Sequence, residues 1–323
     1  MSEYSFEPYK NSNADKAVEL FSKCFNKTRP LEEWLWQYHD CPHGQTSVAC
    51  WYEGKMVGFY GVVLRPVFVE GKEIRSGHVL DVMTHPDHQG RGLFAGAAKA
   101  AFKVGHAAGV SLFFGWPNKQ AWPGHRKVGW KELGVRQILS HSPDTARGDH
   151  KDSAVQLVSW DSLQDVSGDL DTLFTQSLSR HKYVADRRWM GLRWRYAKRP
   201  GFSYSPILYK RRGDDSIAGW AVLRTKQFEG KKVGHIVDFL CSKEDGNAVS
   251  ALESFAFEHF AREECQYVQC LQDPEITSRL HGWRQEENRE LPLIIRSADE
   301  SGADTPDLGL EDWYLTLGDC DVF

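Results

Sequence analysis

The sequence predicts a mixed α/β protein made of two tandem copies of one unit. Three observations lead there. Residues 76–114 read as strand, glycine-rich turn, helix and strand in succession. The segment Gly77-His78-Val79-Leu80-Asp81-Val82 returns as Gly234-His235-Ile236-Val237-Asp238-Phe239. Upstream of each copy, apolar runs alternate and turn at Glu-Gly pairs, the pattern of antiparallel strands. The units are expected over 1–140 and 154–323. The polar stretch 141–153, with Pro143 and Gly148 and no periodicity, is expected to link them.

Asn13 or Asp15 is placed to cap a helix through Phe25, with Ala17, Leu20, Phe21 and Phe25 on one side. Pro30 opens a second helix, Leu31 to Tyr38, carrying Trp34 and Trp36. Strands follow at Thr46–Tyr52, Lys55–Arg65 and Val67–Val69, turned at Glu53-Gly54 and Glu70-Gly71. Val79, Leu80, Val82 and Met83 form a mostly apolar strand around Asp81, ended by Pro86, which has no amide for a ladder. Leu93 to His106 is rich in Ala, Phe and Lys and predicts about four turns of helix. Val110–Phe114 is a strand, and Gly134–Ser140 a last one. Beyond 153 a strand is predicted at Val155–Trp160, then helices over Leu163–Leu178 and Ala185–Tyr196. The last mixes arginines with tryptophan and tyrosine. That mixture suits anion or base binding, or a helix whose arginines pair with carboxylates and cover rings.

The repeat is uneven in one place. Glu70-Gly71-Lys72 matches Glu229-Gly230-Lys231, and Val63-Leu64-Arg65 matches Val222-Leu223-Arg224; from Gly77 onward the spacing shortens by two residues. Carried forward unchanged, it sets the Leu93 helix against Ser250–Ala261 and Val110–Phe114 against Tyr267–Leu271. It also sets Gln89-Gly90-Arg91-Gly92 against Gly246-Asn247-Ala248-Val249, just after Glu244 and Asp245. The second turn has one glycine where the first has two, lacks the arginine and gains two carboxylates. Like charges at that range disfavour a bound diphosphate. The first copy is therefore expected to hold an anionic ligand and the second not.

Composition narrows the classes. The net charge of −4 gives no basic footprint and argues against nucleic acid. The seven cysteines are scattered without Cys-x-x-Cys spacing, which suggests neither a zinc site nor a disulfide framework and fits a reducing compartment. No run approaches 18 apolar residues, and the polar start Met1–Lys10 has no signal-peptide pattern, so no membrane span and a cytoplasmic location are expected. No metal site is expected.

The turn His88-Gln89-Gly90-Arg91-Gly92 carries the chemistry. Its glycines reach conformations closed to other residues. The helix that follows starts with unpaired amides and the positive end of its dipole, a natural seat for phosphate. With its strand and helix, the segment Gln89-Gly90-Arg91-Gly92-Leu93-Phe94 resembles the Arg/Gln-x-x-Gly-x-Gly/Ala signature of the GNAT superfamily of N-acetyltransferases. Phe94 departs from that signature, and Ala95 follows it. Asn118 and His125-Arg126-Lys127-Val128-Gly129-Trp130 resemble the family's Asn … Tyr-x-x-x-Gly-Phe segment, with His125 in place of tyrosine. The resemblance covers roughly 1–140, and relatives with a degenerate second copy are known.

The resemblance implies a mostly antiparallel sheet splayed at a central parallel pair. It implies acetyl-CoA as cosubstrate, with no metal and no covalent enzyme intermediate. It places the coenzyme on Gln89, Gly90, Arg91, Gly92, Leu93, Phe94 and Ala95, with the backbone of Val82, Met83 and Thr84 along the donor arm and Asn118 near it. Asn118 reads equally as a helix cap. His125 reads as the acid for the leaving thiolate, or as a histidine on a helix surface. Asp81, a carboxylate among apolar residues, needs a partner. It either binds or deprotonates the acceptor amine or ties down a neighbouring backbone or arginine, the use it would share with Asp238. His78 and His85 are lesser candidates for the base.

The expected function is acetyl transfer from acetyl-CoA to a primary amine of a small molecule. The acceptor would lie between the copies near Trp34, Trp116 and Trp122, and the first two helices either border it or merely cover the sheet. An amino sugar of polysaccharide synthesis is the favoured acceptor. The grounds are the aromatic-rich composition and the closing segment Asp312-Trp313-Tyr314 … Gly318-Asp319, which is similar to such relatives. The rivals are a CoA-binding module without turnover, and aminoacyl or longer-chain acyl transfer on the same doubled fold.

Overall fold

A computed structural model describes residues 3–143, 154–211, 213, 215–271, 283–299, 305–306 and 308–320. Most of the expected linker, 144–153, lies outside the described residues. The chain divides into two compact units that are not consecutive in sequence. The first comprises residues 1–135, 198–201 and 292–310; the second comprises 136–197, 202–291 and 311–323. The boundaries expected from sequence, 140 and 154, both fall within the second of these units.

In the first unit β1 (Ser5–Pro8) leads to α1 (Ala14–Phe25) and α2 (Leu31–Tyr38). Then come β2 (Val48–Tyr52), β3 (Lys55–Leu64), β4 (Val67–Val69), β5 (Lys72–Ile74) and β6 (Ser76–Thr84). α3 (Leu93–Ala107), β7 (Leu112–Gly115), α4 (Trp122–Lys127) and the start of β8 (Lys131–His141) complete it. The sheet runs β1-β2-β3-β6-β7, antiparallel except for the parallel pair β6–β7, and residues 294–297 add an antiparallel strand to β7. Beneath it α3 buries Ala97, Ala98, Ala101 and Phe102 against Tyr60, Val62, Val79 and Phe113. Small residues let the helix approach, and a Cβ at Gly105 would meet Phe113 at 2.5 Å. Gly109, with φ +79°, ends the helix in the left-handed conformation glycine favours.

Both residues of the pairs Glu53-Gly54, Glu70-Gly71 and Glu229-Gly230 have positive φ, the geometry of tight two-residue hairpin turns. The turns of the repeat are therefore equivalent, but the strands are not in the register the sequence suggests. His78 stands opposite Val63, whereas His235 stands opposite Arg224, so Arg224 and not Val222 is the counterpart of Val63.

The second unit holds β9 (Val155–Leu157), α5 (Trp160–Asp165), α6 (Ser167–Ser177), β10 (Tyr183–Ala185) and α7 (Trp189–Leu192). β11 (Ser205–Lys210), β12 (Ile217–Phe228), β13 (Lys231–Cys241), α8 (Ala248–Arg262), β14 (Tyr267–Leu271), part of β15 (Arg284–Ser297) and β16 (Trp313–Tyr314) follow. The parallel pair is β13–β14, and β14 takes residues 138–141 as its antiparallel neighbour. The strand expected over Val155–Trp160 stops at Leu157 because Ser159 and Ser162 form a reciprocal cap that starts α5. The helix expected over Leu163–Leu178 breaks at Val166, whose φ is −112°. That expected over Ala185–Tyr196 begins only at Trp189, after Asp186 has accepted the Arg188 amide, and continues as a π-helical turn, Arg193–Ala197.

α8 begins at Ala248 and Gly234 stands opposite Val268, while α3 begins at Leu93 and Gly77 stands opposite Phe113. Counted from Asp81 and Asp238, the second turn is two residues shorter than the first. The helix and strand matches expected at constant spacing are corrected accordingly. The counterpart of Gln89-Gly90-Arg91-Gly92 is Glu244-Asp245-Gly246-Asn247.

Candidate functional site

The turn between β6 and α3 has the geometry its glycines require. Gly90 has φ +73° and Gly92, which caps α3, has φ +78°, and an added Cβ at either would meet nothing within 4 Å. The requirement is conformational and the space beside the turn is open. No side chain caps α3 and its first turn holds no carboxylate. Its first helical bond runs from the Gly96 amide to Gly92 O at 3.0 Å, leaving the amides of Leu93, Phe94 and Ala95 ahead of it. Arg91 is held beside them by Tyr4 Oη at 3.1 Å and Asp87 O at 3.3 Å. Gln89 donates to Thr84 O at 3.4 Å. A cation and a row of orphan amides on an open face suit a diphosphate.

The second unit closes the same place on itself. There Asp245 Oδ1 accepts the Asn247 amide at 3.0 Å and Asp245 O the Ala248 amide at 3.2 Å. A carboxylate thus sits on the amide just before α8, where the first turn has only glycine.

β6 and β7 separate beyond the pair Val79–Gly115. On its other edge β6 stays paired with β3 through Met83–Phe59 and Thr84–Gly58, but Tyr60 faces two residues, Asp81 and Val82. This bulge puts Asp81 at φ +47°, inside the left-handed region. The His85 amide donates to Val57 O at 2.9 Å, and strand alternation then turns the Met83 amide toward β3 and those of Val82 and Thr84 away from it. The Thr84 backbone hydrogen-bonds the Cys24 thiol, which burial holds up at about 11. Of the three backbone positions expected along the donor arm, Met83 is spent in the sheet and Val82 aims into the gap.

Asp81 Oδ2 takes three donors: Arg29 Nη1 at 2.6 Å, Tyr38 Oη at 2.8 Å and Gln37 Nε2 at 2.9 Å. Arg29 also reaches Gln37 Oε1 at 2.7 Å and lies 3.8 Å from Glu33. Arg29, Gln37 and Tyr38 were not read from the sequence as site residues. The one available signal was the mid-strand carboxylate, which demanded a partner without naming it. His78 is buried and stacks on Phe114 at 4.8 Å, and His85 sits beside Asp87 at 3.8 Å.

Asn118 Oδ1 accepts the Ala121 amide at 2.8 Å and thereby caps the turn leading into α4. His125, on α4, is buried rather than on a helix surface. It packs edge-on to Phe94 at 5.1 Å and Trp130 at 5.2 Å, with Nδ1 3.4 Å from Tyr60 Oη. Phe94, which replaces the small residue of the signature, thus fills the space beside His125. Burial pushes the His125 pKa down to about 4, so at neutral pH the ring is neutral and the imidazolium acid considered from sequence is not the resting form. His181 in the second unit is likewise lowered to about 4, by burial and then by Arg180 and Arg187.

Both histidines protonate near pH 6.5 when unfolded. Between there and pH 4 the unfolded chain binds more protons than the folded one, so stability falls as pH drops through that window. Each unit of depression corresponds to about 1.4 kcal/mol. Urea midpoints are expected to decline from about pH 6.5 to 4, and His125→Gln to flatten the decline.

Among the described residues no group of three or more metal-ligating side chains comes together, and no helix is long and apolar enough to cross a membrane. A sheet splayed at its parallel pair, with a glycine turn and bare helix amides at the open end, defines the acyl-CoA N-acyltransferase fold. Residues 5–133 match the family model described as an acetyltransferase (GNAT) domain. A GCN5-related N-acetyltransferase from Anabaena variabilis superposes with TM-score 0.73 at 13% identity, covering 92% of this chain and 73% of that one. Saccharomyces cerevisiae N-myristoyltransferase with bound myristoyl-CoA gives 0.60 at 10% identity, over 91% and 79%. A glucosamine N-acetyltransferase region of a fungal multi-domain β-N-acetylglucosaminidase gives 0.61 at 14% identity, over 91% and 38%. A comparison with curated proteins finds no match.

Proposed function

We propose that the protein transfers an acetyl group from acetyl-CoA directly to a primary amine of a small molecule. The observation that carries this reading is the open, uncapped start of α3 behind Gly90 and Gly92, beside a strand whose Val82 amide faces the gap. Gln89, Gly90, Arg91, Gly92, Leu93, Phe94 and Ala95 hold the diphosphate, and Val82 meets the thioester carbonyl. The neutral amine attacks that carbon, its oxygen takes up charge against the Val82 amide, the C–S bond breaks and CoA leaves as its thiolate. The nitrogen gives up a proton and the thiolate gains one. An amide aimed at such an oxygen contributes about 3 kcal/mol to the transition state. Asp81, 11% exposed and with its bonds gathered on Oδ2, keeps Oδ1 for the acceptor ammonium before attack.

An amino sugar remains the favoured acceptor, a reading supported by the fungal glucosamine N-acetyltransferase region among the fold neighbours. The myristoyltransferase with its bound myristoyl-CoA favours a second reading, transfer of a longer acyl chain. Free-thiol release with acetyl-, octanoyl- and myristoyl-CoA against an amine panel that includes glucosamine decides among them. Turnover of acetyl-CoA with an amine is expected. CoA binding without thiol release from any donor would leave a binding module.

A further inference from the structure

The bulge that turns Val82 toward the gap rests on an aspartate in a conformation that a residue with a Cβ adopts at a cost. Three side chains from outside the strand converge on one of its carboxylate oxygens. Arg29 lies just before α2, and Gln37 and Tyr38 end that helix. Room for one of them is built into β3: a Cβ at Gly61 would stand 2.3 Å from Tyr38 Oη and 2.4 Å from Leu80 O. Arg29 is itself fixed by Gln37, by Glu33 at 3.8 Å and by the ring of Trp34 at 5.1 Å, and Glu33 is shared with Arg199 at 3.8 Å.

The second unit supplies an internal comparison. Asp238 also takes a tyrosine hydroxyl, from Tyr196 at 2.8 Å, and there too a glycine, Gly318, makes the room. Asp238 is not among the residues with positive φ, and its Oδ1 accepts from Arg187 in a fully buried network. The same carboxylate is clamped in both units, but only the unit with the open diphosphate turn clamps it left-handed.

We propose that Arg29, Gln37 and Tyr38 are positioning residues that act through Asp81, holding its left-handed backbone so that the next amide, Val82, points at the donor's acyl carbonyl. The proposal rests on the reading of the first unit as an acyl-CoA site. The diphosphate grip and the amide are separate parts of that site, so they respond separately to mutation. An aligned amide is worth about fivefold in ground-state affinity for a carbonyl.

Calorimetry with acetyl-CoA and with CoA tests it, with thermal melts as the control for folding. Wild type is expected to prefer acetyl-CoA by about fivefold. Tyr38→Phe and Gln37→Leu are expected to bring the two affinities together while the Kd for CoA moves by less than about twofold. Asp81→Asn keeps an acceptor oxygen and a side chain that tolerates left-handed backbone, and is expected to retain the preference. A preference that survives both substitutions overturns the proposal. So does an equal loss of affinity for both ligands, which would mark the network as general support for the unit. So does a wild type that binds CoA and acetyl-CoA alike. A folded wild type that binds neither ligand refutes the acyl-CoA reading itself.

Discussion

Gly92→Glu is expected to abolish CoA binding while leaving the fold intact. Gly92 sits at φ +78° as the cap of α3, where a Cβ costs roughly 1–2 kcal/mol in backbone strain. Nothing within 4 Å obstructs the new side chain, so the protein has no packing reason to unfold. The glutamate instead projects into the open ground before the Leu93, Phe94 and Ala95 amides. A carboxylate about 4 Å from a phosphate near the surface costs about 4 kcal/mol, near a thousandfold in affinity. Gly92→Ala carries the strain without the charge, and since the strain is present with and without ligand it is expected to lower stability by about 1–2 kcal/mol and to change affinity far less than Gly92→Glu. Calorimetry reads both effects, and a melting temperature close to wild type confirms that the fold survives. An unchanged affinity in Gly92→Glu would refute the site. In the second unit a carboxylate already stands at the corresponding turn, where Asp245 accepts the amide of Asn247, the residue before α8.

Arg187→Met is expected to produce the largest loss of stability of any single substitution considered. Arg187 is fully buried and donates to Asp238 Oδ1 at 3.0 Å, Asp319 Oδ2 at 2.6 Å, Thr316 Oγ1 at 3.1 Å and Ala185 O at 3.0 Å. It also lies over the Tyr314 ring at 4.7 Å. Removing the cation strands two carboxylates without water, a loss of about 3–5 kcal/mol. The acid dependence identifies the cause. In the variant the stranded carboxylates hold protons more tightly folded than unfolded. The deficit relative to wild type is therefore greatest at neutral pH and shrinks as pH falls toward about 4. Chemical denaturation of both proteins at several pH values checks this. A deficit independent of pH would point to lost packing instead.

The same network explains the closing segment. Tyr314, Thr316 and Asp319 lock Arg187, and Gly318 admits the Tyr196 hydroxyl, within the second unit. Its residues have structural work to do whatever the acceptor proves to be.

Much of the site was legible before the fold was known. The Gly90 and Gly92 turn, the helix from Leu93 and the strand around Asp81 are local features. Each is dictated by residues within a few positions, and each stands where expected. The helices expected over Ala185–Tyr196 and Leu163–Leu178 were not, because side-chain caps and a buried arginine outweigh periodicity there. His125 reads as a plausible acid until its neighbours are seen; burial among Phe94, Trp130 and Tyr60 makes it neutral.

By itself the sequence determined the mixed α/β class, the recurring strand–turn–helix–strand pattern and the glycine turn that leads into α3, since spacing and glycine act over short range. Only the tertiary structure decided which strands complete which sheet, with residues 136–141 folding into the second unit and 292–310 into the first. It also decided which side chains meet Asp81. Strand partners and buried ion pairs join residues far apart in the chain, and their energy depends on distances and desolvation that no local pattern encodes.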